Sequence, residues 1–195
     1  MLHVMVDLET MGTRVGSAIT AIGAHAFTLD YPGYTKDFHC QISLESAVAA
    51  GLTMDASTVV WWMKQSDAAR RECLAANDGM RDLQRVLNKF TEWSRFLRTV
   101  YDGKLCFWGN SAAFDLGLLG EAYDRLSHQR PWGFREEACY RTLKNLRPDV
   151  VAPPFEGTQH NALHDARHQA AHLRLLLAAI AAPKPVPVMI GWGES

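Results

Sequence analysis

The sequence predicts one mixed α/β domain: two features indicate that fold class, and a third indicates where the domain ends. Apolar runs with the character of strands occupy residues 2–7, 18–28 and 36–42. Beyond them, short apolar strands alternate with helical patterns, as in domains that pack helices on a sheet. The C-terminal residues are rich in proline and fit neither pattern. We therefore expect a single domain over residues 1–182 and a loosely held tail over residues 183–195.

The first three strands are expected to form an antiparallel meander. A turn signal at residues 30–33 separates the second strand from the third. Two short helices are predicted next, over residues 55–65 and 67–76, with Asp67 as the N-cap of the second helix. The Asn-Asp-Gly segment at residues 77–79 breaks the chain after these helices.

A long amphipathic helix is predicted over residues 80–100, because its apolar residues recur near the helical period of 3.6. Residues 105–108 form a short apolar run that ends at Gly109 and Asn110, which is typical of a buried strand. The remaining predicted elements are a helix over residues 113–126, a strand over 138–140, a short helix over 141–146, a loop over 147–159 and a helix over 163–182.

Asp7 and Glu9 are two carboxylates at the end of the first apolar strand. Alternate residues of a strand point to the same side, so these side chains should project together. Unpaired buried charge is costly, and a divalent cation with oxygen ligands would stabilise both groups. The alternative is a strand that runs out into solvent and carries two surface acids, and this motif alone leaves both interpretations open.

Two further acids lie near predicted helix starts. Asp115 follows a short polar segment after the fourth strand, and Asp165 lies near the start of the last helix. A carboxylate in the first turn also complements the helix dipole, which is the simpler interpretation of either residue alone. The functional interpretation therefore depends on the whole set.

As a set, these motifs resemble those of the DEDDh exonucleases, which have the ribonuclease-H-like fold. The three similar segments are Asp7-Leu8-Glu9-Thr10-Met11-Gly12, Asn110-Ser111-Ala112-Ala113-Phe114-Asp115 and His160-Asn161-Ala162-Leu163-His164-Asp165. Residues 58–65, 139–143 and 160–163 also resemble one branch, the exodeoxyribonuclease-VIII-like 3'-5' exoribonucleases of bacteria and phages. The resemblance spans roughly residues 1–178 and departs at His164, where that branch tends to carry an acid.

The resemblance implies a ribonuclease-H-like sheet, an antiparallel meander plus parallel strands, flanked by helices. It implies a two-metal 3'-5' exonuclease that acts on single-stranded or short RNA or DNA, or on 3' overhangs, and releases nucleoside 5'-monophosphates. Asp7 would bridge two Mg²⁺ or Mn²⁺ ions, Glu9 and Asp165 would hold one of them, and Asp115 would hold the other. His160 would be the general base, and its Pro/Gly-rich segment suggests that it swings in with substrate.

Substrate contacts are expected from a smaller group of residues. This group contains Thr10, Met11, Gly12, Trp62 and Arg141. Bases stack on tryptophan, but adjacent helical residues point about 100° apart, so one residue of the pair Trp61 and Trp62 should belong to the core. Arg141, Lys144 and Arg147 step by three residues, and either a phosphate contact or a solvated helix face explains that spacing.

Two other functions remain as alternatives. His164 and His168 give the last helix the outline of the zinc-protease motif His-Glu-x-x-His, with Asp165 in place of glutamate. A zinc hydrolase is therefore conceivable, although packing or solvation explains His168 and His172 more simply. The second alternative is a non-catalytic nucleic-acid-binding or polymerase-partner module on the same fold. A module that had lost catalysis would not need all five site residues, so their presence argues against this alternative. They are Asp7, Glu9, Asp115, His160 and Asp165.

Composition limits the mode of binding and the compartment. The net charge is −1, whereas proteins that grip long duplexes are usually basic, so any nucleic-acid contact should be local. The four cysteines form no Cys-x-x-Cys pair, and we find no signal peptide or transmembrane run. We expect a cytoplasmic protein with free thiols and no membrane association, and its relatives suggest a homodimer.

Overall fold

The computed structural model describes residues 1–31, 33–74, 79–101 and 104–181. The strands are β1 (Leu2–Thr10), β2 (Ile19–Thr28), β3 (Thr35–Gln41), β4 (Leu105–Gly109) and β5 (Glu137–Cys139). The helices are α1 (Leu44–Ala49), α2 (Ala56–Met63), α3 (Asp67–Cys73), α4 (Leu83–Val100), α5 (Asp115–Arg125), α6 (Tyr140–Leu146) and α7 (Ala162–Ala181).

The five strands form one mixed sheet in the order β3-β2-β1-β4-β5. The first three strands pair antiparallel, and β4 and β5 pair parallel on the other side of β1. The predicted fold class, an antiparallel meander plus parallel strands flanked by helices, is confirmed. Because β1 and β4 are parallel, their C-terminal ends meet at the same edge of the sheet, the usual place for a site in such folds.

Side chains of β1 alternate between two hydrophobic cores, one on each face of the sheet. Its even-numbered residues from Leu2 to Leu8 enter the larger core, together with apolar residues of α4 and α5. On the opposite face, Met5 packs with Ala166 and Ala170 of α7. The same alternation places Asp7 and Glu9 on the face that α7 covers. The period of the strand thus aims both carboxylates at the last helix.

Several element boundaries differ from the prediction because side chains cap helices at other positions. The sequence pattern does not predict α1, which has only six residues and begins after Ser43, whose Oγ accepts the Ser46 N–H at 3.3 Å. The N-cap of α3 is Ser66 rather than Asp67, since the Ser66 Oγ accepts the Ala69 N–H.

The long helix α4 begins at Leu83 instead of residue 80, because Asp82 caps its first turn. The predicted tail over residues 183–195 and the chain break at residues 77 and 78 lie outside the described residues. No helix in the described ranges is long and apolar enough to cross a membrane.

Candidate active site

Three carboxylates from β1 and α7 converge at the end of β1. One oxygen each from Asp7, Glu9 and Asp165 lies within 4.8 Å of the other two. Across the described ranges, no other group of three acids, histidines or cysteines is this close. Glu9 is only 6% exposed, and the other two are half-buried. Three carboxylates this close fit one divalent cation with oxygen ligands.

Gly23 of β2 allows α7 to lie this close to the acidic end of β1. It pairs with Asp7 across the sheet, and a Cβ at position 23 would be 2.1 Å from the carbonyl carbon of Ala162. Because that neighbour is backbone of the first turn of α7, it cannot rotate away. The absence of a side chain at Gly23 therefore brings Asp165, one turn further along α7, to the carboxylates of β1.

Asp115 is the first residue of α5 and lies at the C-terminal edge of β4. It is 2% exposed, and its Oδ2 accepts the N–H of Ser111 at 3.1 Å. A Cβ on Gly109 would be only 2.9 Å from the Asp115 Cβ, so glycine is required for this packing too. Asp115 is outside the three-carboxylate cluster, yet its charge raises the pKa of Asp7. All four predicted acids therefore lie around one candidate site.

The site is electrostatically unfavourable for the protein alone. Burial, and then the charges of Asp115, Glu9 and Asp165, raise the pKa of Asp7 well above its usual range. Burial, followed by the charge of Asp165, raises the pKa of Glu9 to about 8. Burial also raises the pKa of Asp115 to about 6 and raises the pKa of Asp165. A bound cation would favour the ionised form of each acid.

Gln169 belongs to the site, although the sequence analysis did not identify it. Its Nε2 donates a hydrogen bond of 2.7 Å to Oδ1 of Asp7. Its own Oε1 and the Oδ2 of Asp165 are buried without a hydrogen-bond partner. Since Asp165 and Gln169 are four residues apart, they share a face of α7, and that spacing is the sequence signal for Gln169. Two orphaned oxygens at one place fit a site that a cation and its water complete.

His160 lies just before α7 and is held between α2 and the acids. Its backbone adopts the left-handed conformation, with φ of 61°, which is uncommon for a residue other than glycine. Its ring meets the rings of Trp61 and Trp62 edge to face, with centroids 5.0 and 6.1 Å away. The charge of His160 lowers the pKa of Asp165, which places the imidazole beside the three-carboxylate cluster.

A cavity of about 400 Å³ opens next to Glu9. Its lining residues are Leu8, Glu9, Thr10, Thr13, Ser57, Thr58, Trp61, Trp62 and Phe114. Trp62 is 5% exposed, and its indole N–H donates to the Thr10 carbonyl, whereas Trp61 is 42% exposed. Trp62 is therefore the core member of the pair, with one edge in the cavity wall, and Trp61 presents the accessible ring.

Of the other predicted substrate contacts, Thr10 and Arg141 are near the site or its cavity, whereas Met11 and Gly12 do not line the cavity. Thr10 lines the cavity, but Met11 is 6% exposed and does not line it. Gly12 does not line it either, and a Cβ there would be 2.4 Å from the Ser17 Oγ. Arg141 is exposed on the Asp115 side, where its charge lowers the pKa of that acid.

Lys144 of α6 and Arg147, which follows the end of that helix, have partners elsewhere. Arg147 forms two hydrogen bonds to Asp149, and Lys144 lies 5.5 Å from the centroid of the Tyr140 ring. Of the three cations that step along the sequence, Arg141 is therefore the one whose charge acts on the site, through Asp115.

The histidines on α7 have structural contacts that differ from those of a zinc site. They are His164, His168 and His172. His164 Nδ1 accepts the Thr158 N–H at 3.0 Å, and the His168 ring lies 5.0 Å from the Phe155 ring. His172 is buried, with the Tyr140 hydroxyl at 2.7 Å and the Val150 carbonyl at 2.8 Å. Within the described ranges, these histidines form no group of three potential ligands. The zinc-hydrolase alternative gains no support.

The mixed sheet and the converging acids agree with the family to which the sequence belongs. Residues 2–177 match the family described as the Rv2179c-like 3'-5' exoribonuclease domain, and the chain belongs to that family. No curated protein matches the sequence.

Solved structures share the fold at low sequence identity. The nuclease domain of 3'hExo, a DEDDh family member bound to rAMP, is 12% identical, with a TM-score of 0.56 over 91% of this chain and 92% of that one. A 3'-exonuclease that recognises the histone mRNA stem-loop is 11% identical, with a TM-score of 0.57 over 91% and 82%. E. coli exonuclease I with a 5cy-dA13 oligonucleotide is 16% identical, with a TM-score of 0.52 over 91% and 40%. At these identities, the likeness establishes the fold alone.

Proposed function

We propose that this protein hydrolyses single-stranded or short RNA or DNA, and 3' overhangs, from the 3' end and releases nucleoside 5'-monophosphates. The observation that carries the proposal is the convergence of the acids and His160 beside an aromatic cavity. Membership of a 3'-5' exoribonuclease family supports the reaction class.

The donor set suits hard divalent cations. Every atom of the three-carboxylate cluster that faces the site is an oxygen, and two neighbouring oxygens are orphaned, which favours Mg²⁺ or Mn²⁺ over zinc. We propose that Asp7, Glu9 and Asp165 would hold one ion and that Asp7 and Asp115 would hold a second. When bound, these cations supply positive charge to the attacking and leaving oxygens of the phosphodiester.

The proposed roles of the remaining residues follow from their positions. His160 takes a proton from the attacking water as general base, since its imidazole borders Asp165 and the three-carboxylate cluster. Gln169 fixes the rotamer of Asp7 through its amide N–H. Arg141 contacts a phosphate on the Asp115 side.

The cavity is the proposed site of the 3'-terminal nucleotide. Its volume of about 400 Å³ falls in the usual range of small-molecule sites, about 300–1,000 Å³. Trp61 offers its exposed ring for stacking, and Thr10, with Trp62 behind it, forms the wall next to Glu9. Room for one nucleotide beside the acids favours removal of terminal residues over internal cleavage.

A labelled-strand assay tests the direction of attack. A 5'-labelled single strand incubated with Mn²⁺ should give a ladder of products that shorten from the 3' end, and a 3'-terminal phosphate should block it. Cuts in a circular single strand would instead indicate an endonuclease. RNA and DNA versions of one sequence, single-stranded and duplex, decide the preferred substrate, and the family description makes RNA the first to test. Light scattering would test the predicted homodimer, and cytoplasmic location stays a prediction.

A further inference from the structure

Glu72 is a buried acid beside the candidate site that none of the proposed catalytic roles uses. It lies on α3, is 6% exposed and bridges two other parts of the molecule. Its Oε1 contacts Nε2 of His39 on β3, and its Oε2 accepts a hydrogen bond of 2.9 Å from Nδ2 of Asn161. The charge of Glu72 also raises the pKa of Glu9. A carboxylate kept close to an acidic cluster is unfavourable unless its contacts serve a purpose.

Asn161 connects this acid to both ends of the third motif. It immediately follows His160, and its Oδ1 accepts the N–H of His164 at 3.1 Å in the first turn of α7. Its carbonyl accepts the N–H of Asp165 at 2.9 Å. One side-chain end of Asn161 thus begins α7 as a cap, while the other end is held by Glu72.

The backbone at His160 is where this connection matters. The ring of His160 is placed by edge-to-face contacts with two tryptophans, which restrict its direction only weakly. Its direction therefore depends on the left-handed backbone at residue 160. The Asp165 carboxylate accepts hydrogen bonds from the backbone of residues 160 and 161, and the Asn161 side chain, bonded to Glu72 and to the His164 N–H, anchors the residue that follows His160. The helix that carries Glu72 is itself tied to β3, because Gln41 Nε2 donates to the carbonyls of Arg71 and Glu72 at 2.8 and 3.0 Å.

We infer that Glu72 is a positioning residue for the reaction, acting through Asn161 to orient the imidazole of His160. The inference rests on the proposed role of His160 as general base. Misplacement of a reacting group by about 1 Å can cost about 10²-fold in rate, so a remote hydrogen bond is sufficient to matter. If Glu72 had a purely structural role, its substitution would lower stability, and the effect on kcat would not depend on the presence of His160.

A double-mutant cycle separates these two roles. Glu72→Ala should lower kcat by about 10- to 100-fold, the usual effect of losing such an outer contact. KM and the rise in melting temperature caused by Mn²⁺ should stay unchanged, because the acids remain in place. In a His160→Ala background, Glu72→Ala should change kcat by less than about twofold. Glu136→Ala is the matched control, since its carboxylate binds Arg98 between other elements, and its kcat should equal that of the wild type.

An exchange of the two hydrogen-bonding groups gives a second, independent test. Glu72→Gln should keep most activity, because the amide oxygen still accepts the Asn161 N–H. Asn161→Asp keeps the cap on His164 but removes the donor and faces Glu72 with a like charge, so kcat should fall. Combining the two substitutions reverses the polarity of the bond, with the amide at position 72 as donor. The combined variant should recover most of the lost rate.

The outcomes distinguish failure of this inference from failure of the proposed function. Wild-type turnover in His160→Ala alone would remove the role of His160 itself. If His160→Ala is slow but Glu72→Ala lowers kcat by the same factor with and without His160, the positioning role is wrong. Should Glu72→Ala fail to fold, the exchange test decides, since an absence of recovery in the combined variant overturns the inference.

Discussion

The two sides of the candidate site are built in different ways. On one side, Asp7 and Glu9 of β1 meet Asp165 of α7, and regular secondary structure aims all three. On the other side, His160 sits on irregular backbone with a positive φ, and its placement depends on side chains from α2 and α3. Strand and helix periods thus set the acids, whereas tertiary contacts set the histidine. This difference predicts that the acids are robust to distant substitutions and that the histidine is sensitive to them.

The largest expected effect is the loss of a carboxylate. Asp7→Asn or Asp115→Asn should abolish measurable cleavage, because each removes a proposed metal ligand, while the fold survives because each change removes a charge that burial already disfavours. Thermal melts should show the wild type stabilised by Mn²⁺ and both variants stabilised less. Wild-type turnover in both variants would contradict the four-carboxylate site.

The next effect tests which histidine acts. His160→Ala should lower the single-turnover rate by about 10²–10⁴-fold, the usual range for removal of a general base, and should keep the Mn²⁺-induced stabilisation. His164→Ala should cost far less, since its Nδ1 accepts a backbone N–H in the loop, and His164→Asp should raise metal affinity by adding an acid. Equal losses in the two alanine variants, with loss of tightly bound zinc, would revive the zinc alternative.

A substitution at Gly23 tests whether the carboxylate side of the site, which β1 and α7 build, tolerates a change in their packing. Gly23→Ala should force the first turn of α7 away from β2, since the new Cβ would be 2.1 Å from backbone of Ala162. We expect the free energy of unfolding to fall by about 1–3 kcal/mol, as for overpacking, and the Mn²⁺-induced rise in melting temperature to shrink. Gly33→Ala is the control, because nothing lies within 4 Å of a Cβ there. An unchanged metal response in Gly23→Ala would show that the close approach does not build the site.

The difference between the carboxylates and the histidine also explains which parts of the site can be predicted from the sequence. The mixed sheet, and the placement of Asp7 and Glu9 on one face, follow from local period, so residue patterns predict them. The role of Gly23 is invisible locally, because its neighbour in space, Ala162, is far away in the chain. The contact of Glu72 with Asn161 likewise joins residues with no shared period. The exposure of Trp61 rather than Trp62 depends on how α2 packs, and the indole bond to Thr10 decides it.

The two ends of β1 should also respond to pH in opposite directions, starting with Glu9. The pKa of Glu9 is raised to about 8, so its ionisation opposes folding, and the contribution of this group to stability is present at low pH and lost as pH rises through about 8. Without metal, Glu9→Gln should therefore stabilise the protein near pH 8 by about 1–3 kcal/mol. Urea unfolding in EDTA at pH 8 and pH 5 measures this, and a larger gain at pH 5 would contradict it.

His3 lies at the other end of β1 on the same face, and its contribution to stability depends on pH in the opposite direction. It is 6% exposed, accepts the Trp108 indole N–H at 3.1 Å, and stacks on Phe27. Burial, and then the positive charges of the N-terminus and Arg174, lower its pKa from 6.5 to about 4. Between pH 6.5 and about 4, His3 is therefore protonated in the unfolded chain and neutral in the folded chain.

The contribution of His3 to stability is complete above pH 6.5 and is lost as pH falls through about 4. Its size is at most about 3.5 kcal/mol, from about 1.4 kcal/mol for each pKa unit. His3→Gln keeps an acceptor for the indole and does not titrate. Urea unfolding of both proteins from pH 7 to pH 4 should show the wild type losing stability relative to the variant across that window. Parallel curves would mean that His3 titrates normally, and this end of β1 would then be insensitive to pH.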